Sequence, residues 1–243
     1  MSDLSPQVLA AGPDGVLVRF GLTPAPDAMA AAQVLAAELR ADAPDGTVEI
    51  APALVSVLVR FDPARVARAD VARDLDARAK KIAAGHPALP DPVRRWTIPA
   101  AFGGDHGPQL AEVAQKAGLS ESDAVRQICE ADLRVLAIGF APGQPYIGLL
   151  PEAWNMPRLS DMTPNVPVGA IVVAVRQIVM FGASSTTGWR QVARTGFRAF
   201  VPDRDEPVLL KAGDAIRYVA VGAGEMESLT GDGIGGAKLE VLR

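Results

Sequence analysis

Cysteine is almost missing from this chain, and histidine nearly so: one of the first and two of the second among 243 residues. A single thiol closes no internal disulfide, which suits a reducing compartment. His86, His106 and one cysteine exclude zinc sites of the Cys/His kind. They also leave few groups that titrate near neutrality for general-base work. Aromatics are only 5% of the residues, so the core is built mainly of Val, Leu, Ile and Ala. No long apolar run is present. The longest, residues 166–175, contains Pro167 and Gly169 and stops at Arg176; it reads as a strand and predicts no membrane span. The first residues lack the basic and apolar regions of a secretion signal, so the expected location is cytoplasmic. An excess of positive charge is lacking too. The net charge is −4 with both signs interspersed, and no basic stripe is available to neutralise phosphates, which predicts no nucleic-acid partner. The phosphate-loop, nucleophile-elbow and zincin motifs are all absent.

The pattern that is present predicts an α+β chain of two domains. Residues 16–20 read as a strand, and Pro26-Asp27 opens a helix with Met29, Leu35 and Leu39 roughly on one side. After the Pro44-Asp45-Gly46 turn, residues 47–50 and 53–61 read as strands. A second helix carries Val71, Leu75, Ala79 and Ile82. The order β-α-β-β-α predicts a small N-terminal α/β sandwich over residues 1–86. Three prolines within residues 85–92 make a stiff linker. From residue 93 to 230, many short strands punctuated by Gly and Pro, with two helices at 109–117 and 122–131, predict a partly closed β-barrel. Residues 231–243 read as a C-terminal tail. Residues 110–128 have the spacing of a DNA-binding helix pair, but the second helix carries Glu121, Asp123 and Glu130 against Arg126 alone. Such a face repels a phosphate backbone, and Ser120 with Asp123 reads simply as a helix cap.

The most informative stretch is residues 139–150, Gly-Phe-Ala-Pro-Gly-Gln-Pro-Tyr-Ile-Gly-Leu-Leu. Two prolines and three glycines make a stiff turn after an apolar run, and it carries Gln144 and Tyr146. The reading is either a binding loop or a structural turn. Arg176 and Gln177 interrupt an apolar run. A buried charge there needs a polar cavity or a carboxylate partner, and the cavity is the favoured expectation. Gln177 can donate and accept, which suits an amide. Arg158 follows Pro157 and offers a planar fork for a carboxylate or phosphate, or else a surface ion pair. His106, after a Gly-Gly turn, is a candidate base. Ser185, in the run 184–187, is a candidate hydrogen-bond donor or turn cap. Cys129 lies mid-helix beside Glu130, where a thiol is usually inert. Trp154 and Trp189 are expected to plug the barrel ends.

From about residue 98 to 219 the chain resembles the KipI / allophanate hydrolase subunit 1 family, which includes the B-type subunit of 5-oxoprolinase. The matching residues are Ile98-Pro99, Phe102-Gly103-Gly104, Gly107-Pro108, Gly118-Leu119-Ser120, Gly139-Phe140, Pro142-Gly143, Pro145-Tyr146-Ile147-Gly148, Pro157-Arg158, Val166-Pro167, Gln177, Gly188-Trp189, Arg194-Thr195 and Gly213-Asp214 with Arg217. The resemblance implies a cyclophilin-like β-barrel after a small α/β domain. It also implies part of an ATP-dependent amide or lactam hydrolase that opens 5-oxoproline to glutamate. The implied partners are a homologous second subunit (allophanate hydrolase subunit 2, KipA-like) and a third, LamB/YcsF-like subunit. ATP is implied for the complex, with no metal or biotin on this chain. Two other readings are a non-catalytic inhibitor of a histidine kinase and a urea carboxyltransferase-like component. The chain departs from the family pattern in several places. Cys129 stands where the family usually has histidine, Gln144 where it has Phe, and Asn165 where it commonly has Arg. Residues 174–179 replace a Gly-Gly-x-Gln-Thr-Gly turn, of which only Gln177 survives.

Overall fold

A computed structural model of the chain describes residues 4–242. Met1–Asp3 of the expected first domain and Arg243 of the expected tail lie outside the described residues. The chain divides into two compact units, Met1–Asp91 and Pro92–Arg243.

The first unit runs β1 (Gln7–Ala11), β2 (Gly15–Arg19), α1 (Pro26–Ala41), β3 (Thr47–Pro52), β4 (Ser56–Phe61) and α2 (Arg68–Ala84). Its sheet has the order β1-β2-β4-β3, antiparallel throughout. Alternation along β4 puts Val57, Val59 and Phe61 against the helices, where they join Val16, Val18, Leu35, Leu39 and Leu75 in one core. This is the sandwich expected, with β1 added ahead of it. β1 is a half-exposed edge strand that pairs only with β2. It therefore carries no buried alternation for a sequence reading to detect.

The second unit runs β5 (Arg94–Phe102), α3 (Leu110–Lys116), α4 (Glu121–Glu130), β6 (Leu133–Ile138), β7 (Pro145–Gly148), β8 (Thr163–Val166), β9 (Ala170–Ala174), β10 (Gln177–Met180), β11 (Ser185–Thr187), β12 (Arg190–Arg194), β13 (Ala215–Ala220), α5 (Ala223–Ser228) and β14 (Lys238–Val241). The order β12-β9-β10-β7-β6-β13-β5 returns to β12 through Ala193 opposite Phe102 and Arg194 opposite Ala101. Seven strands thus close a barrel; closure removes the free edges that an open sheet presents. β5 and β13 pair in parallel, and the other neighbours are antiparallel. The expected tail is instead structured: β14 pairs antiparallel with β5 from Lys238 opposite Thr97 to Val241 opposite Arg94. Leu239 and Val241 alternate with Lys238 and Glu240 along it, but all four residues are exposed, so the apolar face is not buried. The Ser120 cap forms as expected, its hydroxyl accepting from the Asp123 N–H at 3.1 Å.

Candidate functional site: one face of the barrel wall

Strands β7, β9 and β10 lie side by side, and their two faces differ. One face sends Ile147, Ile171, Val173, Ile178 and Met180 into the main core. The opposite face builds a smaller cluster from Val172, Ala174, Val179, Phe181 and Trp189, with Tyr146 packed against it. Tyr146 pairs across the ladder with Val179, so their side chains stand on the same side. By the two-residue period Gln177 falls on that side with Val179, and Gln144 on that side with Tyr146. Gly148 completes the row in ordinary packing contact, where an added Cβ would lie 3.4 Å from Leu136 Cδ1 and 3.8 Å from the Gln177 Cα.

The corner before β7 is tightly built. The Gly139 N–H donates to the Gln144 carbonyl at 3.0 Å, and the Gln144 N–H to the Ala141 carbonyl at 3.1 Å. Gly143 has φ +67 and would bring a Cβ to 2.7 Å of the Ala199 carbonyl oxygen, so only glycine fits there. Held this way, Gln144 is 2% exposed. Its Oε1 is enclosed and accepts no hydrogen bond. Among the described residues, no side-chain hydrogen bond engages the amides of Gln144 and Gln177 or the hydroxyl of Tyr146. Gln177 is 3% exposed.

Trp189 joins this row to Arg158. Its ring meets Tyr146 edge to face at 6.2 Å between centroids, and the Arg158 guanidinium lies 5.2 Å over the same ring. Among the described residues no carboxylate pairs with Arg158, so the surface ion pair does not form. Trp189 packs on the outer cluster rather than plugging the barrel, whereas Trp154 is fully buried in the main core.

The other candidates stand apart. Arg176 and Val175 form the two-residue turn between β9 and β10, with φ +66 and +45. A hairpin of this kind demands left-handed angles at both positions, and a β-branched residue adopts them at a cost. Arg176 points to no polar cavity. Its Nε donates to the Leu150 carbonyl at 2.8 Å and its Nη1 to Glu152 Oε2 at 2.6 Å, which is the carboxylate partner rather than the favoured cavity. The Leu150 N–H returns a bond to the Arg176 carbonyl at 2.8 Å. The guanidinium thus staples the turn to the segment that carries Trp154. Glycine-turn chemistry is replaced here by strain plus a staple. Asn165, another departure from the family pattern, also has a positive φ of 53, which asparagine tolerates.

His106 ends a short 3-10 turn; its carbonyl accepts from Gln191 Nε2 at 2.8 Å and its Nε2 lies 3.6 Å from Glu227 Oε1. No contact among the described residues ties it to Gln144, Tyr146 or Gln177. Cys129, on α4, packs on the main core, and burial pushes its thiol up, away from nucleophile chemistry. Ser185 lies in the β8–β11 ribbon, where its hydroxyl donates to the Thr186 carbonyl at 3.3 Å. The ion pair of the buried Arg190 with the partly exposed Glu112 (Nε to Oε1, 2.9 Å) carries no sequence signal. The two residues are 78 positions apart, and nothing local marks their meeting.

The face does not fit a nucleotide. Its groups are two neutral amides, a phenol and a single guanidinium already stacked on a ring, whereas a triphosphate needs several donors or cations. Among the described residues no group of three His, Cys, Asp or Glu could hold a metal ion, and no helix is long and apolar enough to cross a membrane.

Comparison with known proteins defines the class. The family described as carboxyltransferase domain, subdomain C and D, matches residues 6–210, and this chain belongs to it. The B-type 5-oxoprolinase subunit of Escherichia coli O157:H7 is 38% identical over 132 residues, covering 54% of this chain and 61% of that protein. The match therefore spans less than two thirds of that relative. The B-type 5-oxoprolinase subunit of Bacillus subtilis (strain 168) is 28% identical over 225 residues, covering 88% of this chain and 92% of that one. The Kluyveromyces lactis urea amidolyase shares the fold alone: TM-score 0.72 at 19% identity, over 99% of this chain and 16% of that chain.

Proposed function

We propose that this chain is the B-type subunit of an ATP-dependent amide or lactam hydrolase, acting on 5-oxoproline or a close analogue and releasing glutamate from it. The observation that carries the reading is the near end-to-end match to the Bacillus subtilis 5-oxoprolinase protein, 92% of its length. The geometry supports it in kind. A lactam needs neutral donors and acceptors for its amide and a cation for its carboxylate; Tyr146 with one of the two amides that flank it on this face, Gln144 or Gln177, supplies the first, and Arg158 the second. Donors fixed at a carbonyl oxygen contribute about 3 kcal/mol each to a developing oxyanion, and Gln177 and Tyr146 are this chain's donors.

ATP does not fit this face, so the nucleotide acts elsewhere in the complex. A homologous second subunit, KipA-like, with a third LamB/YcsF-like subunit, holds the nucleotide and supplies the general base that His106, turned to Glu227, does not. Phe140 fits such a docking role: it is 83% exposed, with φ 70, at the tip of the corner that holds Gln144. An exposed aromatic fixed this way is the kind of anchor that interfaces bury. The test is to purify the chain with the products of its neighbouring genes and measure ATP-dependent glutamate release from 5-oxoproline. A verified complex that releases none rejects the activity.

A further inference from the structure

We propose that Gln144 is a specificity-determining residue that reads the geometry of a ligand's amide, pairing side by side with a lactam or a primary amide and rejecting open-chain secondary amides. The inference rests on the hydrolase reading for its substrate class and adds the residue that makes the selection.

A buried side-chain acceptor without a partner is uncommon, because water lost from it is normally replaced by a protein donor. Gln144 Oε1 is such an acceptor, and the side chain is 2% exposed. Its surroundings explain why no neighbour meets it. The outer cluster beside it is apolar, and Tyr146, two residues along the row, makes no side-chain hydrogen bond of its own. The corner that carries it is braced by Gly143 and by two backbone hydrogen bonds, which fix the backbone from which the amide projects. A group held in place, enclosed and unpaired is complementary to something that arrives later.

The chemistry of the partner follows from the amide itself. A primary amide presents an acceptor and one N–H on the same edge. The matching edge is a C=O and an N–H that also lie on one side. Ring closure forces that arrangement on a lactam. A primary amide or a urea offers it too. An open-chain secondary amide keeps its N–H and C=O on opposite sides, because its bond is trans. An anion is excluded at Oε1, where two acceptors would face each other.

The test uses the full chain, purified with its neighbouring gene products if it requires them, and observes the side-chain amide signal of Gln144 by nuclear magnetic resonance. The signal is assigned by its loss in Gln144→Met, with Gln144→Leu as a second variant should the first fold poorly. The probes are 5-oxoproline, 2-pyrrolidinone, N-methyl-2-pyrrolidone and N-methylacetamide. The signal should shift saturably with the two unsubstituted lactams. The N-methylated lactam and N-methylacetamide should bind at least about tenfold more weakly, since a site built to hydrogen-bond an N–H discriminates against its absence. Both variants should bind 2-pyrrolidinone and N-methyl-2-pyrrolidone alike. A signal that no probe moves, or that all four move equally, overturns the inference. Selective lactam binding without glutamate release from the complex leaves Gln144 as the selector and rejects 5-oxoproline hydrolysis. Release that keeps its full preference for lactams in Gln144→Met does the reverse.

Discussion

The two faces of β7, β9 and β10 come from the same few residues, yet they differ in one respect. The inward face holds Ile147, Ile171, Val173, Ile178 and Met180 without a polar side chain among them. The outward face is nearly as well buried, and it admits Gln144 and Gln177 among Val172, Ala174 and Val179. Both faces contribute burial. Only one keeps hydrogen-bonding groups that the fold does not use. The main core has unpaired polar atoms too, Tyr218 Oη and Trp96 Nε1. They differ from Gln144 in setting: Tyr218 and Trp96 belong to the main core, whereas Gln144, just as enclosed at 2% exposed, lies outside it at the corner before β7, two residues from the unpaired Tyr146 hydroxyl. An unpaired atom inside a closed core suggests a trapped water, while one in a row of such atoms suggests a ligand.

The comparison breaks most visibly if the inward face is cut. Ile178→Ala should cost about 3 kcal/mol of stability, the usual loss for a large apolar side chain in a packed core, read as a lower urea midpoint. Raising the pH should also weaken the core side. Burial pushes the Tyr218 hydroxyl up from its ordinary value of 10.0, and burial likewise raises the Cys129 thiol from 9.0. Above those values the unfolded chain gives up its protons first and binds fewer than the native chain, so stability falls as pH rises through about 9 to 10. Below them the two groups contribute no pH dependence. A thermal melt that stays level across that window contradicts this, and Tyr218→Phe should flatten the decline. On the outward face, Gln144→Met should have the opposite sign. Replacing an enclosed, unpaired amide by an apolar side chain of similar length should stabilise the chain by about 1 kcal/mol, as Tm should report, while lactam selection is lost.

Much of the fold is legible in the sequence because burial writes a period into it. Val57 and Val59 alternate as core residues do, and Val71, Leu75, Ala79 and Ile82 repeat as a helix face does. β1 escapes because its exposed edge carries no such period, and β14 because its short alternation of Leu239 and Val241 with Lys238 and Glu240 follows a glycine-rich stretch that reads as a tail. Barrel closure escapes as well: β12 meets β5 through residues some 90 positions apart in sequence, about which local pattern is silent. In the site, the Pro-Gly corner marks Gln144 and Tyr146, since backbone restriction is visible in residue type. The presence of Trp189 is legible but its place is not, for a ring's neighbours depend on strand order. Arg176 is ambiguous for a related reason. An arginine in an apolar run signals either a polar cavity or a carboxylate partner, and only the bond to Glu152, across 24 positions, shows which.

That turn, where the two faces meet, gives the smaller effects. Val175→Asn should stabilise by about 1 kcal/mol, because asparagine tolerates φ +45 better than a β-branched residue, and Val175 is 40% exposed with little packing to lose. The Glu152 partner of Arg176 should matter least. Its side chain is 72% exposed, and ion pairs in water contribute roughly 0–1 kcal/mol. Glu152→Gln should therefore shift the urea midpoint hardly at all, since the bond from Arg176 Nε to the Leu150 carbonyl persists. Arg176→Ala removes that bond as well and leaves the carbonyl without its side-chain donor, so it should cost more than Glu152→Gln. If the two variants prove equal, the staple on Leu150 contributes nothing, and backbone pairing alone holds the turn to the segment that carries Trp154.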